Sequence, residues 1–501
     1  MKILFLKPGF EHLGVLHLAS YVEQQGHTPQ LVVDPVLFAD SVFNSARLSH
    51  LMDYGEPVMR KIAELKPDAV GIPVLSAGFA WANTRARQIK DRLGVPVIFG
   101  GPHCTAVPEE TMRTGEADYA FVADAEIGMA RLLDVLEKGG DLGSVPNLIW
   151  RNGDAVVTNE LAPLIRDLDT LPFPAKDLYY DANPGHGTAY NIISARYCPL
   201  RCKFCYNATM EKIYGAKKWG SRRSPANVVA ELREGKTKRR FNYVRFFDDL
   251  FTADEAWLSE FAPMYARDVN VPYHCSLHPS FVGPKVVEAL KLSGCREVQM
   301  GVETVAPDTK KTIRRGESLD QIRDGLARLK AAGIRNSVDI IIGLPGQEVD
   351  DLRQAVDFFN ENRPDLIMTF WMEYTPGLPL IRDAIARGEL TEEDEARINI
   401  GQGVNGYYTG GRTLHRYKSS ARYHFLFSLL PILPRKFVRR LVSRGRLGLI
   451  PTWVPPFFMT AIANLLFSDR HNATRNEMAR RYWHYGAKRV LQRLGLLYPS
   501  I

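Results

Sequence analysis

Cysteine is scarce in this chain: six residues in 501, three of them isolated at Cys104, Cys275 and Cys295. That number excludes a disulfide-built extracellular scaffold, which relies on dense pairing, and the isolated three read as small buried hydrophobes. A secretion signal is missing too. The opening run MKILFLKPGF is short and reads as a first strand with no cleavage-site pattern after it, so the cytoplasm is the expected compartment. No G-x-G-x-x-G fingerprint follows that strand, which argues against a nicotinamide or flavin dinucleotide. Acids are nearly lacking at the far end, where residues 412–501 hold seventeen Lys or Arg against Asp469 and Glu477 alone. With a net charge of +8 overall, the remainder is mildly acidic, so a basic segment follows an acidic body.

What is present is a globular composition, 45% apolar and 24% charged, in a chain too long for one ordinary core. Residues 1–146 alternate short apolar runs (KILFL, AVGIPV, VPVIFGG, YAFV) with amphipathic helical stretches that stop at Gly26 and Gly94. The pattern predicts a doubly wound, Rossmann-like α/β domain whose ligands lie beyond the carboxyl ends of its strands. Residues 147–187, rich in Pro, Gly and Asp, read as a linker. A second βα series over 188–390 supplies six strands: YNIISA, NYVRFF, PYHCSL, REVQMGV, SVDIII and LIMTFWM. It predicts a parallel sheet curled into a partial (β/α)6, TIM-like barrel. Residues 391–501 break the pattern and read as a mainly helical, basic and apolar region.

Functional groups of a parallel βα barrel project from the carboxyl ends of its strands. Here those ends carry Cys198, Cys202 and Cys205, then Asp248 and Asp249, His278, Glu303, the turn Gly343 to Gly346, and Tyr374. Three cysteines at C-x₃-C-x₂-C cannot close a tetrahedral structural zinc site by themselves, and no fourth Cys or His lies beside them. An iron–sulfur cluster takes four thiolates as a rule, so three would leave one iron open to a ligand. A chance grouping, or a zinc site completed by a distant histidine, is the alternative. For Asp248 and Asp249 the alternative is capping of the next helix, and for Gly100 and Gly101 it is an ordinary strand-to-helix turn.

The segment CPLRCKFC resembles the signature of the radical S-adenosylmethionine (SAM) enzymes, with Phe204 as its aromatic member, and the likeness continues through FFDDLFT, GVET and IIGLPGQ. The resemblance implies a [4Fe–4S] cluster on Cys198, Cys202 and Cys205 whose open iron chelates SAM. It places Glu303 against the ribose or methionine of SAM, the turn with Gly343 and Pro345 against its adenine, and Asp248 and Asp249 where the family carries a glycine-glycine-glutamate motif. The N-terminal runs LGVLHLASYVEQQGH and VIFGGPHCTAVPEE are similar to the cobalamin-binding domain of the B12-dependent branch. That implies a corrin surrounded by Pro8, Gly9, Gly14, Val74, Ser76, Gly100, Gly101, His103 and Glu126. The mutase motif D-x-H-x-x-G is absent: the chain reads GFEHLG, with Phe10 in the aspartate's place, so His12 lacks its orienting partner and cobalt is expected to have no protein imidazole beneath it. The transfer-RNA methylthiotransferase branch needs further N-terminal cysteines, and Cys104 stands alone there.

Expected from the resemblance is a methyltransferase in which one SAM methylates reduced cobalamin and a second yields the radical that activates an inert carbon. An oxidative cyclase or hydroxylase with the same cofactors is the first alternative, and a non-catalytic cobalamin sensor or carrier the second. A reducing partner of the flavodoxin or ferredoxin kind is implied. Residues 425–467 join aromatic runs to clustered Arg. Within them 449–467 carry no charge but contain Pro451, Pro455 and Pro456, which argues against a membrane span. An interfacial segment is expected instead, with Trp453, Phe457 and Phe458 at the headgroups and Arg435, Lys436, Arg439, Arg440, Arg444 and Arg446 on anionic lipid; the alternative is a helical subdomain packed on the barrel with a solvated basic face. It would admit a hydrophobic substrate, lipid, isoprenoid or tetrapyrrole-like, to an enzyme peripheral on the inner membrane face. No nucleic-acid module is recognisable.

Overall fold

The structure is a computed structural model that describes residues 1–9, 11–38, 45–183, 188–215, 221–402, 414–443, 446–449, 480–494 and 497. Its first sheet contains β1 (Lys2–Pro8), β2 (Thr28–Asp34), β3 (Ala69–Pro73), β4 (Val97–Gly100), β5 (Tyr119–Phe121), β6 (Leu148–Asn152) and β7 (Ala155–Thr158), in the order β2-β1-β3-β4-β5-β6-β7. β1 to β5 run parallel and β6 and β7 antiparallel. The chain reverses its winding between β1 and β3, the switch point at which such sheets bind ligands. Alternate residues feed two apolar layers: Leu4, Leu6, Val70 and Ile72 on one face, Ile3, Phe5, Ala69 and Ile98 on the other. Burial on both faces explains why these strands read as unbroken apolar runs.

Two elements differ from the sequence reading. β2, interrupted by Pro29 and Gln30, shows no continuous apolar run. The start of the supposed linker is the β6–β7 hairpin, which extends the first sheet; its alternation is masked by the turn residues around Gly153.

The second sheet is formed by β8 (Ala189–Ile192), β11 (Tyr243–Phe246), β12 (Tyr273–Leu277), β13 (Cys295–Glu303), β14 (Arg335–Ile342) and β15 (Leu366–Trp371), all parallel and ordered β15-β14-β13-β12-β11-β8. β8 and β15 are edges, so the barrel is partial. A short antiparallel ribbon, β9 (Ala195–Arg196) with β10 (Ser221–Arg222), stands beside β8. Val244, Phe246, Cys275, Val298, Met300, Val338 and Ile340 belong to the large apolar cluster under the helices.

After the barrel the described residues are helical. Leu414–Leu429 packs on β15 and on the helix Val349–Glu361, and Arg435–Ser443 packs on that same helix. The chain then returns to the first domain: Phe38 N–H donates to the Tyr482 hydroxyl (3.0 Å), and the Tyr54 hydroxyl donates to the Tyr485 carbonyl (2.7 Å). Among the described residues no helix is long and apolar enough to cross a membrane. Trp453, Phe457, Phe458 and Arg444 lie outside the described residues.

Candidate cofactor sites at the strand ends

The ribbon β9 leads directly into the cysteine loop. Tyr197 holds a left-handed backbone (φ +66°), a costly conformation for a bulky residue, and redirects the chain so that Cys198 and Cys202 are buried and Cys205 half-buried. Asn207 organises the loop: its carbonyl accepts from Cys198 N–H (2.9 Å), and its amide faces Cys205 Sγ (3.8 Å) and donates to Asp249 (2.9 Å). Leu200 N–H donates to Cys198 Sγ (3.4 Å), and Arg315 Nη1 approaches Cys202 Sγ at 3.7 Å. Each sulfur therefore has an N–H beside it. Burial nevertheless pushes the free thiols up, Cys198 to about 12 and Cys205 to about 11.

Behind Cys202 lies a buried charge cluster that sequence reasoning missed. Arg315 donates through Nε to Glu317 (3.2 Å) and through Nη2 to the Gly301 carbonyl. Glu317 also meets His278 Nε2 (3.3 Å) and Lys310 Nζ (3.4 Å). Burial alone would raise Glu317, but the hydrogen bond from His278 and the charges of Arg315 and Lys310 bring it down to about 2. Glu303 follows a β-bulge in β13 at φ +68°, and burial lifts it to about 7 against the pull of Arg315. A Cβ on Gly301 would meet Glu303 Oε1 at 2.6 Å, so any larger residue there would displace the Glu303 carboxylate. Asp339 on β14 accepts from Gln299 (2.7 Å), and burial, aided by Glu303, raises it well above the carboxylate range. A charged R-R-G-E stretch in a loop beyond a barrel strand was the available signal.

The other sites implied by resemblance separate into groups. Both oxygens of Asp248 are taken by Ser194, through its N–H (3.1 and 3.0 Å) and its hydroxyl. Asp249 faces Asn207 and the cysteines. Neither caps the next helix, which Asp254 does by accepting from Trp257 N–H. Phe204 packs on the apolar cluster that contains Leu344 and Tyr374. Gly343 turns at φ +90° and is held by Gln347 (2.8 Å), with Pro345 buried beside it.

At the first sheet's carboxyl edge, Val74 and the loop after β4 are bonded together: Val74 N–H donates to Gly100 and His103 N–H to Val74. Gly101 turns at φ +104°, and a Cβ there would meet Val74 O at 3.1 Å, whereas one on Gly100 or Gly78 would meet nothing within 4 Å. His103 is fully buried, bonded through Nδ1 to Ser76 Oγ (3.1 Å), with Nε2 unpartnered among the described residues; burial lowers it to about 4 and keeps it neutral. Leu75, by contrast, is 58% exposed. His12 Nδ1 accepts from Val15 N–H (3.2 Å) and caps the helix Leu13–Gln24; Gly14 lies in that helix's first turn, close against the His12 ring. Pro8 ends β1, and Gly9 turns at φ +61° with Arg481 of the C-terminal segment against it. Glu126 pairs with Arg196 of the second domain (2.5 Å).

Two family models match this arrangement: B12 binding domain over residues 4–133 and Radical SAM superfamily over 192–359. The chain is a B12-dependent radical SAM protein. An uncharacterized methyltransferase of Pyrococcus horikoshii is 26% identical over 407 residues, covering 78% of this chain and 84% of that protein. The anaerobic magnesium-protoporphyrin IX monomethyl ester cyclase of Rubrivivax gelatinosus is 24% identical, with 75% and 68% covered. Among solved structures, the cobalamin-dependent SAM radical enzyme OxsB superposes with a TM-score of 0.66 at 15% identity, covering 98% of this chain and 80% of that one. The radical SAM methyltransferase TsrM of Kitasatospora setae gives 0.62 at 16%, covering 76% and 74%.

The cofactors of a B12-dependent radical SAM protein are a [4Fe–4S] cluster, SAM and cobalamin, and the residues present fit them. Among the described residues no three Cys, His, Asp or Glu side chains converge on a single metal ion. A cubane asks for something else, because each thiolate takes a different iron, and a coordinated thiol gives up its proton despite a raised free value. The N–H beside each sulfur suits that anionic state. On the first domain, the open space at Gly78 and Gly100, the apolar Leu75 and the neutral His103 suit a large planar corrin.

Proposed function

We propose that the protein is a cobalamin-dependent methyltransferase that adds a methyl group to an unactivated carbon of a hydrophobic small molecule. The observation that carries this reading is the meeting of the two strand-end faces. Gly377, in the loop beyond β15, lies so close to Ala106 beyond β4 that a Cβ would meet the Ala106 methyl at 3.3 Å, and Gly401 lies on Ser76 O and Phe79. The two strand-end faces thus lie against each other, which supports transfer of a group between cofactors held on them.

Bound there, the cluster and SAM supply a carbon radical and the corrin a methyl carrier. The chain's part is positioning and exclusion of water. Cys198, Cys202 and Cys205 hold the cluster, Arg315 compensates their charge, and Glu303 with Asp339 and Gln299 offers polar partners to SAM. Leu75, Phe247 and Phe370 stand at or near the strand ends as exposed apolar side chains (58%, 48% and 41%), which supports an apolar substrate.

The cyclase relative favours a second reading, oxidation or cyclisation without methyl transfer. Anaerobic incubation of the reconstituted protein with methyl-deuterated SAM, a chemical reductant and an apolar small-molecule extract separates the two. Label in a product supports methyl transfer, whereas an unlabelled product of changed oxidation level overturns it. Failure to form 5′-deoxyadenosine at all would leave a carrier or sensor. A low-potential flavodoxin- or ferredoxin-like donor completes the proposal.

Peripheral membrane attachment is also proposed. Helix Arg435–Ser443 buries Val438 and Val442 while Arg435, Lys436, Phe437, Arg439 and Arg440 are exposed, a pairing of cations with an apolar ring that suits an anionic bilayer surface. Flotation with anionic but not neutral vesicles at low salt is expected; equal failure with both would sink it.

A further inference from the structure

The seam between the two domains holds a buried ion cluster that no cofactor role absorbs. Arg196 closes the ribbon β9–β10, pairing with Ser221, and lies two residues before the first cysteine. Its Nη2 meets Glu126 at 2.5 Å and its Nη1 meets Asp124 at 3.4 Å, with side-chain exposures of 12% for the arginine and 6% and 23% for the acids. Both acids belong to the loop where β5 runs into the helix Glu126–Lys138, at the rim of the first domain. Tyr197 and Tyr214 stand beside them, ring centroids 6.2 Å apart. Ala123, just before Asp124, is in turn tied to the loop after β4, since its N–H donates to Thr105 Oγ1 (2.9 Å).

A continuous set of short contacts therefore runs from Cys198 through the strained Tyr197 and Arg196 to Glu126, Asp124, Ala123 and the loop beside Gly101. A second seam exists, where Glu11 bonds Lys176 (2.5 Å) and Asn191 (2.7 Å), but it reaches β8 rather than the cysteines. Ion pairs exposed at a surface contribute little. Breaking a buried one leaves an uncompensated charge and forces its surroundings to move.

We infer that Arg196 is a positioning residue: its guanidinium, clamped between Glu126 and Asp124, fixes the cysteine loop at one distance from the corrin-binding loops. The inference rests on both cofactors occupying the sites proposed above. It does not depend on which carbon is attacked or whether a methyl group is transferred.

The test is pulsed electron paramagnetic resonance on protein carrying cob(II)alamin and the reduced cluster, reading the distribution of distances between the two spins. Wild type should give one narrow distribution. Arg196→Gln should keep its iron and cobalamin contents yet broaden that distribution, and the swapped pair Arg196→Glu with Glu126→Arg should narrow it again. A variant distribution as narrow as wild type overturns the inference. Should Arg196→Gln fail to fold, Glu126→Gln is read in the same way, with broadening for and an unchanged distribution against. Absence of either spin in wild type would instead sink the cofactor assignment beneath it.

Discussion

The two parallel sheets of this molecule solve the same problem in opposite ways. The first is apolar on both faces, so little of its interior can meet a ligand and recognition falls to backbone, glycine and shape at the strand ends. The second is apolar only toward its helices. Its other face carries Asn191, Arg245, His274, Ser276, Gln299 and Asp339, side by side in the strand register. A shape-reading sheet suits a large rigid ring, and a polar-lined sheet suits a charged cosubstrate and a cluster with a negative ligand set.

The comparison is broken most strongly at the polar sheet. Glu317→Ala would leave Arg315 and Lys310 buried without their shared carboxylate, a loss of about 3–5 kcal/mol by the usual cost of breaking a buried pair. Urea denaturation of the apoprotein checks it, and a loss within experimental error of zero would show the cluster to be electrostatically loose.

A smaller effect is expected at the shape-reading sheet. Gly101→Val places a β-branched residue at φ +104° and drives its Cβ toward Val74, at a cost of about 1–3 kcal/mol. Cobalamin retention should fall while iron content stays at the wild-type level. Equal loss of both would mean that the two sites do not fold independently.

The smallest effect compares His103, in the turn of helix just beyond β4, with His274 on β12. Burial lowers His103 to about 4 and His274 to about 3 from an ordinary 6.5. Each folded state holds a neutral ring that the unfolded chain protonates, so each contributes stability that is complete above pH 6.5 and is lost as pH falls toward those values. His103→Gln and His274→Gln should each flatten the stability profile between pH 7 and 4. An unchanged slope would place the acid sensitivity elsewhere.

The same contrast explains what could be read in the sequence. Cys198, Cys202 and Cys205 were legible as a candidate set because a cluster would demand that residue type at that spacing, and the structure brings them together in one largely buried loop. The βα alternation was legible because parallel strands need continuous apolar runs. The roles of Arg315 and Glu317 were not, since the R-R-G-E stretch shows only charge, and folding alone brings Arg315 to Cys202, 113 residues away, with Glu317 behind it. The resemblance placed Glu126 among the residues around the corrin; in the structure its carboxylate meets Arg196, a contact that only the docking of two domains creates. Asp248 looked like a cofactor ligand beside Asp249. In the loop beyond β11, Ser194 holds Asp248 through both carboxylate oxygens, while Asp249 faces the cysteine loop through Asn207.

The central claim is that one chain holds a cluster with an open iron and a corrin on facing rims. Anaerobic reconstitution with iron, sulfide and cobalamin, followed by metal analysis of wild type and of a variant with Cys198, Cys202 and Cys205 all changed to Ala, tests it most directly. The account predicts about four iron atoms and one cobalamin per wild-type chain, with iron lost and cobalamin kept in the variant. Trace iron in wild type, or iron retained at the same level without the three thiols, would contradict it.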